Sequence, residues 1–242
     1  MRYSLTISYD GSEFCGWQIQ PDDPSVQQTL EKCLSTLLRE PVSAVGAGRT
    51  DTGVNAINYV AHFDTVKELD CARFRYKLNA ILPDSIAVSE VLRVSDDFHA
   101  RFDATRREYT YFLHTEKDPF ARKHSLLCTF PLDFEAMNRA AGLLLGTHDF
   151  RCFEKKGSDN LTSICTVTEA AWYREDSTHW YFRIAADRFL RNMVRAIVGT
   201  LIDVGRGKRN PESISELIEH GSRSDSGTSV PGNALFLTEI NY

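Results

Sequence analysis

The segment Gly46–Ala56 reads GAGRTDTGVNA and sets a cation, Arg49, and a carboxylate, Asp51, among glycines at 46, 48 and 53. Glycine lets a backbone turn tightly and come close to a ligand. In an extended segment, side chains two positions apart project from the same face, so Arg49 and Asp51 are expected side by side. A carboxylate next to an arginine stays ionised at neutral pH because the opposite charge lowers its pKa, and an ionised carboxylate is ready to act as nucleophile or base. The same residues also suit a β-turn in which Asp51 caps backbone amides and Arg49 forms a surface ion pair; residue types alone leave both readings open. The spacing is neither a G-x-G-x-x-G fingerprint nor a P-loop.

Two further side chains have chemical potential. Tyr109, in RREYTYF, sits on an expected strand, where its ring can stack on a base that has left its helix or simply half-fill a sheet. Arg195, in FLRNMVRAIVG, flanks the helical stripe of Phe189, Leu190, Met193, Val194, Ile197 and Leu201, from which an arginine can also snorkel to solvent. Trp17, in FCGWQ, reads as core or cleft wall. The pairs His62 with Asp64 and His148 with Asp149, together with His99, lack H-x-x-x-H or Cys/His ligand spacing. Hydrogen bonding is the expected role of these histidines, and neither a metal nor a cofactor is expected.

These side chains must be positioned by a chain of 242 residues, long enough for one large domain or two lobes of about 100–150 residues. Hydrophobic residues make up 42% and charged residues 25%, so a real core can form. The six cysteines form no C-x-x-C pair and read as free thiols of a reducing compartment. The N-terminus is strand-like rather than a leader, and no apolar run approaches the roughly 18 residues of a membrane span. A cytoplasmic protein without a membrane partner is expected. The net charge of −5 argues against nucleic-acid binding, but phosphates respond to local clusters. Cations cluster at Arg101, Arg106 and Arg107; at Arg122 and Lys123; at Lys155 and Lys156; at Arg188, Arg191 and Arg195; and at Arg206, Lys208 and Arg209. Each is either a solvated face or a phosphate site.

Alternation predicts a strand over Tyr3–Tyr9. Asp23-Pro24 predicts a helix N-cap followed by proline at the first helical position. Strands follow at Val42–Ala47 and Asn58–Asp64, a helix at Ala72–Ile81 and a strand at Ile86–Val94. The second half predicts a strand at Glu108–His114, a helix at Asp133–Leu145, and a hairpin of Thr162–Tyr173 with Trp180–Ala186. Helices at Phe189–Val204 and Pro211–His220 and a strand at Leu235–Asn241 complete it. Lys155–Leu161 and Ser222–Asn233 read as loops. This order predicts an α+β fold of two ferredoxin-like (RRM-like) lobes, residues 1–100 and 101–242, with sheets joined side by side and a junction near Asp96–Thr105.

GRTDTGVNA resembles the signature of the TruA-like family of tRNA pseudouridine synthases. SYDGSEFCGWQIQ, VQQTLE, YVAHFDT, LNAILPDSIAV, FHARFDATRREYTY, GTHDFRCF, DN-L-T, FLRNMVRAIVGTLIDVGRGK and LFLTEINY resemble its other blocks, in order. The resemblance implies an active-site cleft between the lobes and a homodimer that binds tRNA across both subunits. It implies that uridine becomes pseudouridine in the anticodon stem-loop, on its 3′ side. Asp51 would be the catalytic residue, Tyr109 the ring that stacks on the target base, Arg195 the ion-pair partner of Asp51, and Arg49 the side chain that helps displace the base. The chain departs from the family pattern at Thr52, Asn55 and Ala234, where Ala, His and Gly are common. Two other readings are a non-catalytic RRM-like RNA-binding protein, for which the RNP1 pattern is missing, and a metal-dependent phosphoesterase built on Asp51, His62 and Asp64.

Overall fold

Every second residue of Arg2–Tyr9 is apolar or aromatic, and Tyr3, Leu5, Ile7 and Tyr9 are all buried along strand β1 (Arg2–Tyr9). The computed structural model describes residues 1–158 and 160–242; Asp159, part of the DN-L-T block and of the loop expected at Lys155–Leu161, lies outside them. The chain divides into two compact units, Met1–Thr105 with Phe236–Tyr242, and Arg106–Leu235. The closing residues 236–242 thus group with the first unit although they follow the second in sequence.

The first unit continues through α1 (Val26–Leu38), β2 (Ala44–Gly46), β3 (Asn55–Asp64), α2 (Cys71–Asn79) and β4 (Ile86–Val94). β1 lies between β3 and β4, antiparallel to both, and β2 runs antiparallel on β3. The closing strand adds parallel to β3, with Phe236 opposite Asn55. Val26, Leu30, Leu34 and Leu38 bury one stripe of α1 at helical spacing. The cap of α1 is Ser25, not Asp23: the Gln28 amide donates to the fully buried Ser25 hydroxyl at 3.2 Å. Pro24 therefore precedes the helix, and its carbonyl accepts from the Cys15 amide at 2.8 Å.

The second unit comprises β5 (Arg106–His114), β6 (Leu126–Leu127), α3 (Phe134–Gly142), β7 (Gly146–Asp149), β8 (Ile164–Arg174), β9 (His179–Ala186), α4 (Met193–Gly205) and α5 (Ser213–His220), and leads into the closing strand, β10 (Leu235–Asn241). Its strands run in the order β5-β9-β8-β7, all antiparallel, with β6 parallel on β5. Asp133, where the helix expected at Asp133–Leu145 begins, caps α3, which ends at Gly142. Asn138 then docks α3 on β8 by giving one hydrogen bond to the Trp172 backbone and accepting another, at 3.1 and 2.7 Å. The helix expected from Phe189 begins only at Met193. Asn192 adopts a left-handed φ of 66°, which asparagine tolerates, and this breaks the helical path that the apolar period of 189–192 suggested. The short strands β6 and β7 were not expected from the sequence.

The six cysteines are free, and burial pushes the thiols of Cys152 and Cys165 up to about 12. Among the described residues, no helix is long and apolar enough to cross a membrane.

His62, on β3, is buried, and its Nδ1 accepts the Ala100 amide at 3.1 Å. Burial first, then the charges of Arg2 and His99, lower its pKa to about 4, against the opposing pull of Asp64 and Asp103. An unfolded histidine titrates near 6.5, so the unfolded chain binds this proton more readily than the folded one. The contribution of His62 to stability is therefore full above about pH 6.5 and is lost as the pH falls towards 4. Urea unfolding midpoints measured between pH 7 and pH 4.5 should fall less for His62→Gln than for the wild type. An equal fall in both would show that His62 does not set this slope.

Candidate active site

The loop that carries Asp51 is fixed from several sides before any substrate arrives. Beyond β2, the Ala47 amide still donates to the Val60 carbonyl at 2.9 Å, so the loop leaves the sheet only at Gly48. There the buried Tyr59 hydroxyl donates to the Gly48 carbonyl and accepts its amide. The Tyr59 ring stacks on Trp17 at 4.3 Å between centroids, which makes Trp17 part of the core. Thr50 is buried, with its hydroxyl 3.0 Å from the Tyr9 hydroxyl. Arg49 is exposed and Asp51 half-buried on either side of it.

Asp51 opens a tight turn in which the Val54 amide donates to the Asp51 carbonyl at 3.1 Å. Gly53 has a φ of 77°, which a side chain would resist. The Gly53 amide donates to the Phe14 carbonyl at 3.2 Å, and the Trp17 amide to the Thr50 carbonyl at 3.4 Å. Asn55, buried at the start of β3, accepts the Gly11 amide through Oδ1 at 2.8 Å. Residues 9–17 therefore clamp the turn. This is possible because Gly16, at φ 89°, has no Cβ: one built there would overlap the Thr50 carbonyl oxygen.

Sequence reasoning singled out Asp51 but missed this clamp of Tyr9, Gly11, Gly16, Asn55 and Tyr59. Glycines at 11 and 16, interleaved with Phe14 and Trp17, were the available signal. The Asn55 departure has a physical role, since its amide oxygen holds the N-terminal loop. Thr52 is exposed, and Ala234 is fully buried in a 3-10 turn, Gly232–Ala234.

In the second unit, Tyr109 is half-buried on β5 opposite Ile184 of β9. Its ring meets Phe189 edge-on, at 5.1 Å and 88°. Arg195 lies in the first turn of α4 and is anchored rather than swinging: its Nε donates to the Val230 carbonyl at 2.8 Å, and the Val230 amide donates back to the Arg195 carbonyl at 3.2 Å. Tyr111, on the same strand as Tyr109, is buried and donates its hydroxyl to the Pro231 carbonyl at 3.2 Å. Burial pushes that hydroxyl up, and the Arg195 charge opposes the shift. Arg49 and Asp51 thus share one loop, Tyr109 and Tyr111 share β5, and the Arg195 charge acts on Tyr111.

The cationic clusters separate into two kinds. Arg106 is held by Glu108 at 2.6 Å and Glu169 at 3.6 Å, and Arg183 faces the same two carboxylates at 3.6 and 3.5 Å. Arg107 donates to the Asp187 carbonyl, Arg209 to the Asp225 carbonyl, and Lys208 pairs with Asp203. Arg206 lies over the Phe130 ring at 4.0 Å. By contrast, Arg122, Lys123, Lys155, Lys156 and Arg191 are exposed. The Lys155 amide donates to the Arg191 carbonyl at 3.0 Å, which merges two of these clusters into one basic surface.

His62 and Asp64 serve other partners. His62 bonds Ala100, and Asp64 takes Arg2 through two hydrogen bonds of 2.9 and 2.8 Å. Among the described residues, no three His, Cys, Asp or Glu side chains gather as metal ligands.

Residues 5–103 and 140–242 match the family model described as tRNA pseudouridine synthase. The chain is 50% identical over 242 residues to tRNA pseudouridine synthase A of Bacteroides fragilis, covering 100% of this chain and 96% of that one. It is 50% identical to the protein of the same name from Bacteroides thetaiotaomicron, covering 100% and 90%, and 41% identical to that of Bacillus subtilis, covering 100% and 99%. A solved archaeal box H/ACA sRNP Nop10-Cbf5 complex aligns with 83% of this chain and 44% of that chain, at 14% identity and a TM-score of 0.36, too weak a likeness to bear on the fold. The turn at Asp51 thus lies inside matched sequence on both sides, and the chain belongs to the tRNA pseudouridine synthase family.

Proposed function

We propose that this protein isomerises uridine to pseudouridine in the anticodon stem-loop of tRNA, on its 3′ side, with Asp51 as the catalytic carboxylate. The observation that carries the reading is the Asp51 turn, held rigid by residues 9–17 and lying within family-matched sequence. Preorganisation of this kind keeps a reacting group in place at no cost during the reaction. Uridine and pseudouridine have the same atoms: the C–N glycosidic bond breaks, the uracil turns, and a C–C bond forms to the same ribose, so no co-reactant enters the balance. The base must first leave its stack, which costs a few kcal/mol. Tyr109 supplies a ring to stack on it, Arg49 helps displace it, and Arg195 is the ion-pair partner of Asp51 that the family resemblance assigns.

The same resemblance supports two ferredoxin-like lobes with a cleft between them, a homodimer binding tRNA across both subunits, and a place in the cytoplasm. Within the first unit, the order strand, helix, strand, strand, helix, strand and the arrangement β4-β1-β3-β2 support the ferredoxin-like reading. Exposed Arg122, Lys123, Lys155, Lys156 and Arg191 are the cations best suited to hold phosphates.

Asp51→Asn should lower pseudouridine formation on tRNA by more than about 10³-fold, because general acid–base help alone contributes roughly 10²–10⁴. Its tRNA affinity and unfolding midpoint should stay near those of the wild type. Tritium release from labelled tRNA measures the first quantity, and substantial turnover by Asp51→Asn would refute the assignment.

Tyr109→Phe keeps the ring and should bind tRNA nearly normally, while Tyr109→Leu should weaken binding by about one base stack, roughly 1–3 kcal/mol. Equal affinity and turnover in both variants and the wild type would remove Tyr109 from the site.

A further inference from the structure

Phe120 stands 93% exposed in the segment Lys117–Lys123, between β5 and β6. Single exposed apolar side chains are common and need no explanation; the bracing of this one is what calls for an account. Asp118 Oδ1 accepts the Phe120 amide at 2.7 Å and the Ala121 amide at 3.4 Å. Its other oxygen lies 3.2 Å from His179 Nε2, and His179 Nδ1 lies 3.0 Å from Asp176. The Lys123 carbonyl accepts from Asn233 at 2.8 Å. A turn tied to the start of β9 and to the 3-10 turn before β10 thus presents a bare aromatic ring outwards.

Lys117, Arg122 and Lys123 are exposed within three residues of Phe120 along the chain, and Glu116 is exposed just before them. Behind the turn lies a cavity of about 640 Å³, lined by His114, Lys117, Pro119, Arg122, Leu126 and Leu127 among others. An exposed aromatic side chain with three exposed cations on the same turn, two of them lining an open recess, has the chemistry of single-strand nucleic-acid binding, where bases stack on rings and phosphates meet Lys and Arg. A second copy of this chain docking on the same surface across a two-fold axis would bring three cations against three cations.

We propose that the Lys117–Lys123 turn is a second contact surface for the RNA substrate, at which an unpaired base stacks on Phe120 and its flanking phosphates lie on Lys117, Arg122 and Lys123. The inference rests on tRNA being the substrate. It adds a stacking platform in a segment outside the loop of Asp51, braced by its own hydrogen bonds.

The test uses the full-length protein and an unmodified tRNA transcript. Phe120→Ala should raise KM and the tRNA dissociation constant between about 5- and 150-fold, the loss of one base stack, with kcat at saturating tRNA unchanged. Phe120→Trp should restore both. Replacing Lys117, Arg122 and Lys123 with Gln should reduce the log–log salt slope of binding by up to about three. Sedimentation of each variant reports its oligomeric state. An active wild type whose KM and salt slope are untouched by these variants overturns the contact surface alone. A changed oligomeric state in Phe120→Ala also overturns it, in favour of a second copy. A wild type that neither binds nor modifies tRNA overturns the functional reading and this inference together.

Discussion

The Asp51 site depends on how closely two backbone segments approach each other. Residues 9–17 and 46–55 meet through the Gly53–Phe14, Trp17–Thr50 and Gly11–Asn55 hydrogen bonds. The approach at Gly16 leaves no room for a side chain. Buried backbone groups must find partners, and here they find them in each other rather than in a regular ladder. Backbone hydrogen bonds thereby continue to hold the loop after it leaves the sheet, and Tyr59, stacked on Trp17, anchors its base. A carboxylate on such a loop is aimed by the fold, not by its own rotamer alone.

Charge in this protein is a local matter. The net charge of −5 hides a division of labour among the cations. Glu108 and Glu169 absorb Arg106 and Arg183 in one half-buried network, and Phe130 covers Arg206. The carboxylates compensate Arg106 and Arg183 locally, whereas Arg206 keeps its charge over the ring. The exposed cations at 117, 122, 123, 155, 156 and 191 sit on turns and loops, where a flexible polyanion can reach them. Counterion release responds to such contacts and not to the total charge.

Much of the fold was legible because period and cap signals are local. β4 (Ile86–Val94) and β10 (Leu235–Asn241) have the bounds expected from the sequence, although the alternation of β4 breaks at Glu90, where its register against β1 shifts. The misses also have local causes. Ser25 capped α1 because it lies one turn before the Thr29 amide that its carbonyl accepts, at 3.2 Å, while Asp23-Pro24 merely resembled a cap. The helix expected at Phe189 was delayed because the left-handed Asn192 breaks a run whose apolar spacing is preserved on both sides. Asp51 was visible from its motif, but its clamp was not, since the partners Gly11 and Asn55 are 44 positions apart. Only part of the Arg106 network was hidden in that way: Glu108 lies two residues along the same strand, but Glu169 and Arg183 join it through the β8–β9–β5 register. Spacing along a chain reports neighbours on one element, not across a sheet.

Gly16→Ala tests the central claim most directly, that the fit of residues 9–17 against the Asp51 loop makes the carboxylate competent. Alanine would be strained at φ 89° and would push on the Thr50 carbonyl, next to Asp51, without touching the carboxylate itself. The measurement is the single-turnover rate of pseudouridine formation with saturating tRNA, alongside the unfolding midpoint and the tRNA dissociation constant. The chemical rate should fall by on the order of 10²-fold, the scale of an ångström-sized misplacement, in a protein that still folds and still binds tRNA. A folded Gly16→Ala variant with the wild-type rate would contradict that claim.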